Sequence, residues 1–142
     1  MGTTLAAELR RAGHEVTTVR LSPASGPASY DSAWTIAAGR DYVIFAVAVR
    51  AREGAGSVAM PAALATLIGA AGPRGALVSF GSPYVIAQAP EVGTCLLAWV
   101  TNPLTERAAA GALRGAAVSG RLPVTIPPRW PVGAGSERGT SR

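Results

Sequence analysis

The chain has 142 residues, of which 49% are hydrophobic and 15% are charged. This balance excludes an intrinsically disordered protein and fits one domain with a buried core. The net charge is +5, and every basic residue is an arginine. Because no arginine cluster alternates with aromatic residues along the chain, we expect no nucleic-acid partner.

Composition also constrains metal, disulfide and membrane chemistry. The single cysteine, Cys95, excludes an internal disulfide, and the single histidine, His14, leaves too few ligands for a zinc site. The longest uninterrupted apolar run, residues 42–49, is far too short to span a bilayer. We therefore expect no metal, no cofactor and no membrane span.

Two helices are predicted in the first third of the chain. Residues 3–12 carry leucines at helical spacing and are followed by Gly13, which favours a helix that ends there. Residues 16–21 follow as a β-rich segment. After a loop rich in proline and serine, residues 32–38 are predicted to form a short helix, capped by Asp31 or by residue 32 itself.

Residues 42–49 form the clearest predicted element of the chain. Their continuous apolar, β-branched character is typical of a central strand buried on both faces. The remaining predicted elements follow in chain order: a loop over residues 50–60, a helix opened by Pro61, strands over residues 75–80 and 94–100, and a helix from Asn102 and Pro103 to Arg114.

The alternation of strands and helices predicts an α/β fold. We expect a three-layer α/β/α sandwich around a mostly parallel, flavodoxin-like sheet. The chain opens on a helix where a βαβ unit would begin with a strand, so we expect the sheet to lack its first strand. We assign residues 1–127 to this domain and residues 128–142, rich in Pro, Gly and Arg, to a poorly ordered tail.

Acid–base catalysis would require paired carboxyl groups, and the acidic residues do not supply a convincing pair. Most of them fall on predicted helix surfaces, strand starts or caps, Glu106 among them. Only Glu53 and Glu91 fall on loops expected at the carboxyl edge of the sheet, where α/β proteins bind ligands. His14 lies in a turn expected at the opposite edge, with no second ligand or nucleophile near it.

One glycine-rich stretch is similar to a dinucleotide-binding pattern. Residues 54–59 match G-x-G-x-x-A between a predicted strand and a predicted helix. However, four residues separate the first glycine from the strand, and no acidic residue ends the following strand near Ser79. A surface loop fits this stretch better than a phosphate cradle, although an autonomous flavodoxin-like or nucleotide-binding module stays open as an alternative.

Two further segments carry a family resemblance. The first is a Gly-Ser-Pro-Tyr turn that follows a predicted strand, and the second, over residues 115–127, contains Ser-Gly-Arg-Leu-Pro-Val-Thr-Ile-Pro. Their key residues are Gly81, Ser82, Pro83 and Tyr84 in the first, and Gly120, Arg121, Leu122 and Pro123 in the second. In this order and spacing they resemble the C-terminal domain of bacterial family 3 glycoside hydrolases of the β-N-acetylhexosaminidase-like branch. Two positions depart from that pattern: Ala116 replaces a common acidic residue, and residues 132–135 replace a histidine-containing glycine turn.

The resemblance implies an enzyme whose two domains have different roles. The catalytic nucleophile and the acid/base element of such an enzyme lie in an N-terminal (β/α)8 barrel, which would be the partner of this domain and would bind the sugar. In other branches, the second domain lends an acid from a loop near residues 50–60. The candidates for reaching that sugar are therefore Arg50, Arg52 and Glu53, whereas the two motifs favour an architectural role. A residual non-catalytic fragment of such an enzyme is a further alternative.

Overall fold

The computed structural model describes residues 1–49, 59–137 and 139. Within them, the helices and strands follow in this order: α1 (Thr3–Arg11), α2 (Pro27–Ala38), β1 (Val43–Val47), α3 (Ala62–Ala71), β2 (Gly75–Ser79), β3 (Thr94–Leu97) and α4 (Pro103–Leu113). Two short 3-10 helices, Gly72–Arg74 and Pro83–Gln88, flank β2 in the sequence. None of the helices in this part of the chain is long and apolar enough to cross a membrane.

The three strands form one parallel sheet in the order β1-β2-β3. Val47 at the end of β1 aligns with Ser79 of β2, which in turn aligns with Leu97 of β3. Every residue of β2 is buried, as expected for the middle strand of a sheet that is covered on both faces. The predicted α/β fold with a parallel sheet is confirmed.

Helices cover both faces of the sheet. On one face, α1 and α4 pack through Leu5, Leu9 and Ala109 against Val78 and Phe80. On the other face, α2 and α3 pack together with the alternate residues of the strands. The buried residues of that second cluster include Ala33, Phe45, Val47, Ile68 and Leu77. The sandwich therefore has the three layers that the sequence predicted.

Helix α2 begins earlier than the sequence suggested. It starts at Pro27, whose fixed φ suits the first helical position and whose missing N–H needs no partner there. The Ser32 hydroxyl donates to the carbonyl of Ala28 at 2.9 Å, one turn back inside the helix. The prediction of a cap at Asp31 or Ser32 was therefore wrong, because these residues lie within the helix.

Residues 16–21 form no strand, although their composition is β-rich. A strand requires a hydrogen-bonded neighbour, and no strand of the described residues pairs with this segment. The segment instead faces β1 across an open groove. Local β propensity was present, but no strand of the sheet formed by the described residues lies beside this segment to pair with it.

The segment after α4 folds back on the sheet. Leu122 donates its backbone N–H to the carbonyl of Ala134 at 2.8 Å, and Ile126 donates to the carbonyl of Trp130 at 2.7 Å. Ile126 is fully buried, and the Trp130 ring packs against the same core. Residues 128–137, which we expected to belong to a poorly ordered tail, thus share backbone hydrogen bonds with residues 122–126.

Candidate functional site

The turn after β2 lies at the carboxyl edge of the sheet, the edge at which parallel α/β proteins bind ligands. The backbone N–H of Phe80 donates to Val47 at 2.8 Å, and that of Ser82 donates to Val49 at 2.9 Å. A Cβ on Gly81 would lie 2.3 Å from the Val49 carbonyl oxygen. Only glycine therefore fits the position that joins β2 to the Gly-Ser-Pro-Tyr turn.

The serine hydroxyls of this turn are engaged in its own structure. The Ser79 hydroxyl is fully buried and donates to the Ser82 carbonyl at 2.8 Å. The Ser82 hydroxyl accepts the Tyr84 backbone N–H at 3.4 Å and caps the 3-10 helix that begins at Pro83. These interactions leave the Tyr84 side chain 46% exposed at the edge. Both serines act as turn-forming residues rather than as nucleophiles.

The turn after β3 lies beside the turn after β2. The hydroxyl of Thr101 donates to the Phe80 carbonyl at 3.2 Å and joins the two turns. Trp99 has a φ of 63°, in the left-handed region that bulky residues rarely occupy, and its side chain is 45% exposed. The Asn102 side chain then accepts two backbone N–H groups and caps α4, as the sequence predicted.

Tyr84 and Trp99 therefore form an aromatic edge, a name we use for these two residues at the carboxyl end of the sheet. Aromatic rings that are half exposed offer apolar faces for stacking, together with a hydroxyl or an indole N–H for hydrogen bonding. Such an edge can be covered by a partner domain or can stack on a sugar ring. Trp99 could not be singled out from the sequence, because nothing in the apolar run at residues 95–99 indicates that its last aromatic ring stays exposed.

Glu106 is the most buried acidic residue of the described chain, with 5% of its surface exposed. Its carboxylate accepts the backbone N–H groups of Gly2, Thr4 and Leu5 at 2.8, 2.9 and 3.2 Å. Burial alone would raise the pKa of this carboxyl, but the three backbone hydrogen bonds outweigh it and lower the pKa below its ordinary value. Our prediction of a surface or capping acid missed this role, which is to cap another helix, α1.

Other acidic residues are held by arginines. The carboxylate of Glu8 accepts hydrogen bonds from Arg11 and Arg107. The hydrogen bond from Arg107 is the main reason that the pKa of Glu8 is lowered. Glu15 pairs with Arg40 at 2.9 Å. These pairs lie on the surface, where ion pairs contribute little stability, and none of them forms a carboxylate pair suited to acid–base catalysis.

The structure corrects our placement of Glu91. This residue lies two positions before Gly93, whose backbone N–H donates to the carbonyl of Gly72 at 2.9 Å. Gly72 precedes β2 and Gly93 precedes β3, so this contact lies at the amino edge of the sheet. Glu91 is therefore at the amino edge and not at the carboxyl edge, because the 3-10 helix after β2 has already carried the chain back across the sheet.

The remaining predicted site residues separate into two groups. Arg50, Arg52 and Glu53, and most of the glycine-rich stretch, lie outside the described residues. In the second motif, Arg121 donates to the carbonyl of Gly135 at 2.8 Å and pairs with Glu137. Its guanidinium thus links the second motif to residues 135 and 137 of the closing segment.

The described residues contain no cluster of three or more His, Cys, Asp or Glu side chains that could hold a metal ion. Comparison of the chain with protein-family models, with curated proteins and with solved structures gave no match.

Proposed function

We propose that this chain is an accessory α/β domain of a glycoside hydrolase that removes terminal β-linked N-acetylhexosamine. In this proposal, a (β/α)8 barrel carries the catalytic groups and binds the sugar. The α/β domain contacts the barrel through the aromatic edge. The proposal combines the resemblance of the two sequence motifs to family 3 enzymes with the position of the first motif.

The observation that carries the proposal is the way in which the Gly-Ser-Pro-Tyr turn presents Tyr84. Gly81 has no room for a side chain, and both serine hydroxyls near it are used within the turn. The turn therefore contributes no reactive group, yet it holds the half-exposed ring of Tyr84 at the same edge of the sheet as the half-exposed ring of Trp99. A rigid turn that exposes aromatic rings without adjacent catalytic groups suits contact between domains, which typically buries about 600–1,500 Å².

The chemistry of the acidic residues also supports an accessory role. Retaining glycosidases place two carboxyl groups about 5–5.5 Å apart on either side of the scissile bond. Among the described acids, Glu106 is occupied by three backbone N–H groups and Glu8 by two arginines. Neither carboxylate is free to act as an acid, a base or a nucleophile.

The experiment uses the purified chain and a separately expressed (β/α)8 barrel of a bacterial family 3 β-N-acetylhexosaminidase. We expect the chain alone to hydrolyse no aryl β-N-acetylglucosaminide above the buffer control. We expect calorimetric titration to detect binding to the barrel, weakened about tenfold by Tyr84→Ala or Trp99→Ala, as for buried aromatic anchors of an interface.

Trp34→Ala is the matched control, since Trp34 is 46% exposed but lies on α2, away from the aromatic edge. This variant should bind the barrel like the unmodified chain. Turnover of the aryl substrate by the chain alone would overturn the accessory role. Equal loss of binding in all three variants, or no binding at all, would overturn the assignment of the interface.

A further inference from the structure

Strand β1 lies at the edge of the sheet but has the composition of an interior strand. Its sequence, Val-Ile-Phe-Ala-Val, contains no charged residue and no proline. These residue types usually prevent an edge strand from pairing with another chain. The buried strand β2 has the same apolar character. In contrast, Val43, Ile44 and Ala46 of β1 are only half-buried. A strand of this kind is normally covered by a neighbour.

Within the described part of the chain, the backbone of β1 also has no hydrogen-bond partners on its outer side. The Val47 carbonyl accepts the backbone N–H of Phe80, the residue that follows β2, at 2.8 Å. In a parallel ladder, the residues that bond to one neighbour alternate with residues that point away from it. The N–H and C=O groups of Phe45 therefore also form hydrogen bonds with β2. The N–H and C=O groups of Ile44 and Ala46 point away from β2, and no described residue pairs with them there.

A groove of about 320 Å³ runs along this outer edge. Strand β1 forms one wall, and the unpaired segment at residues 17–22 forms part of the opposite wall. Several large hydrophobic side chains that are exposed to solvent line the groove: Met1, Val19, Ile36 and Tyr42. Exposed apolar side chains gathered in one groove mark a surface that another molecule or chain segment covers.

Contacts at the two ends of the groove fix the chain directions. The backbone N–H of Gly2 donates to Glu106 in the first turn of α4, the helix that follows β3. Residue 2 therefore lies at the carboxyl edge of the sheet. Arg40, which precedes β1, donates to Thr17 at 2.8 Å, so residue 17 lies at the amino edge. Ser25 lines a small pocket together with Ala63 in the first turn of α3, which follows β1, so the chain has reached the carboxyl edge shortly after residue 22. The segment at residues 17–22 therefore runs in the same direction as β1. A strand that leads into α1 through residue 1 would run in that direction as well.

We propose that the groove binds one apolar β-strand that is parallel to β1 and joined to α1 through residue 1. The strand pairs with the outward-facing groups of β1 on one side and with residues 16–21 on the other. About five residues match the length of β1 and the usual length of a strand. The strand completes a five-stranded sheet and covers the exposed hydrophobic side chains, and this inference is independent of the proposed function.

The direction of the groove selects this occupant over a second copy of the chain. Two copies related by a twofold axis would bring their β1 edges together in antiparallel orientation, because a twofold axis perpendicular to the strands reverses one of them. The wall at residues 17–22 stands in the way of such a pairing. A strand joined to residue 1 enters from the end of the groove, where Met1 already lies.

The test fuses a model strand, Val-Val-Ile-Val-Val-Gly, ahead of Met1 of the full chain. The amides of Ile44 and Ala46 should exchange with deuterium at least about tenfold more slowly than in the unmodified chain, as newly bonded amides do. The amides of Phe45 and Val47, which already bond to β2, provide the internal reference and should change less. Amides within residues 16–21 should gain protection together with those of Ile44 and Ala46.

Two control proteins make the result specific. One carries Val-Pro-Ile-Pro-Val-Gly ahead of Met1, because proline cannot donate to a ladder, and the other carries the first extension after Arg142. Both should exchange like the unmodified chain. Equal protection with the proline extension, or no gain with the valine extension, would overturn the proposal. Protection of the unmodified chain that rises with protein concentration would assign the groove to a second copy instead.

Discussion

The carboxylate of Glu106 accepts the backbone N–H of Thr4 at 2.9 Å, so a side chain in the first turn of α4 caps the first turn of α1. The N-cap residue of α1, Gly2, has no side chain with which to perform this task. An acidic group at a helix N-terminus satisfies unpaired N–H groups and interacts favourably with the helix dipole. This contact fixes how α1 and α4 lie on their face of the sheet.

Replacement of Glu106 should therefore destabilise the fold. We expect Glu106→Ala to lower the free energy of unfolding by about 2–4 kcal/mol, because hydrogen bonds to a charged acceptor are strong and their loss leaves buried donors unpaired. Glu106→Gln should cost less, because its amide oxygen still accepts. Urea denaturation measures both values. Glu91→Ala, at an exposed acid, is the control, and an equal loss there would contradict the assigned role.

The contribution of Glu106 should depend on pH. Its pKa is lowered in the folded state from the ordinary value of 4.5. The stabilisation is therefore fully present above pH 4.5 and is lost as the pH falls through the lower, folded-state pKa. The difference in unfolding free energy between the unmodified chain and Glu106→Gln should shrink on acidification. Glu8 is present in both proteins and cancels. A difference that stays constant to strongly acidic pH would refute the linkage.

The turn at Gly81 gives a steric prediction. We expect Gly81→Ala to destabilise the protein by about 2–4 kcal/mol, because the new methyl group would collide with the Val49 carbonyl. Gly69→Ala, in α3, introduces the same group where no atom lies within 4 Å. That variant should gain about 0.5–1 kcal/mol, since alanine favours a helix interior over glycine. Thermal melts of the two variants should shift in opposite directions.

The left-handed backbone of Trp99 can be tested with two variants that both remove the ring. With φ at 63°, an alanine at this position would strain the backbone, whereas glycine would not. We expect Trp99→Gly to be more stable than Trp99→Ala by about 1 kcal/mol. Because both variants lose the indole ring and differ only by one methyl group, the difference reports mainly on the backbone. The reverse order in chemical denaturation would show that this turn changes conformation when the ring is removed.

Much of the fold could be predicted from local pattern. The strand within residues 42–49, the alternation of strands with helices and the Asn102–Pro103 start of α4 each depend on neighbouring residues, and each is confirmed. The predicted central position of that strand was wrong, because β1 lies at the edge of the described sheet and three of its residues are only half-buried. The architectural use of Gly81 could also be predicted from its turn. These features are set by backbone sterics and by hydrophobic periodicity, which act over one or two turns of chain.

Other features depended on contacts between residues that are distant in sequence. Residues 16–21 have strand propensity, but no strand of the described part of the chain pairs with them, so pairing and not propensity decided their conformation. Glu106 caps α1 in a buried position only because α1 lies beside α4. Glu91 lies at the amino edge because the 3-10 helix Pro83–Gln88 first carries the chain back across the sheet. The sequence pattern indicates whether a segment suits a helix or a strand, but it does not identify the segments that will pack against it. Hydrogen bonds between distant segments determine where such residues lie in the fold.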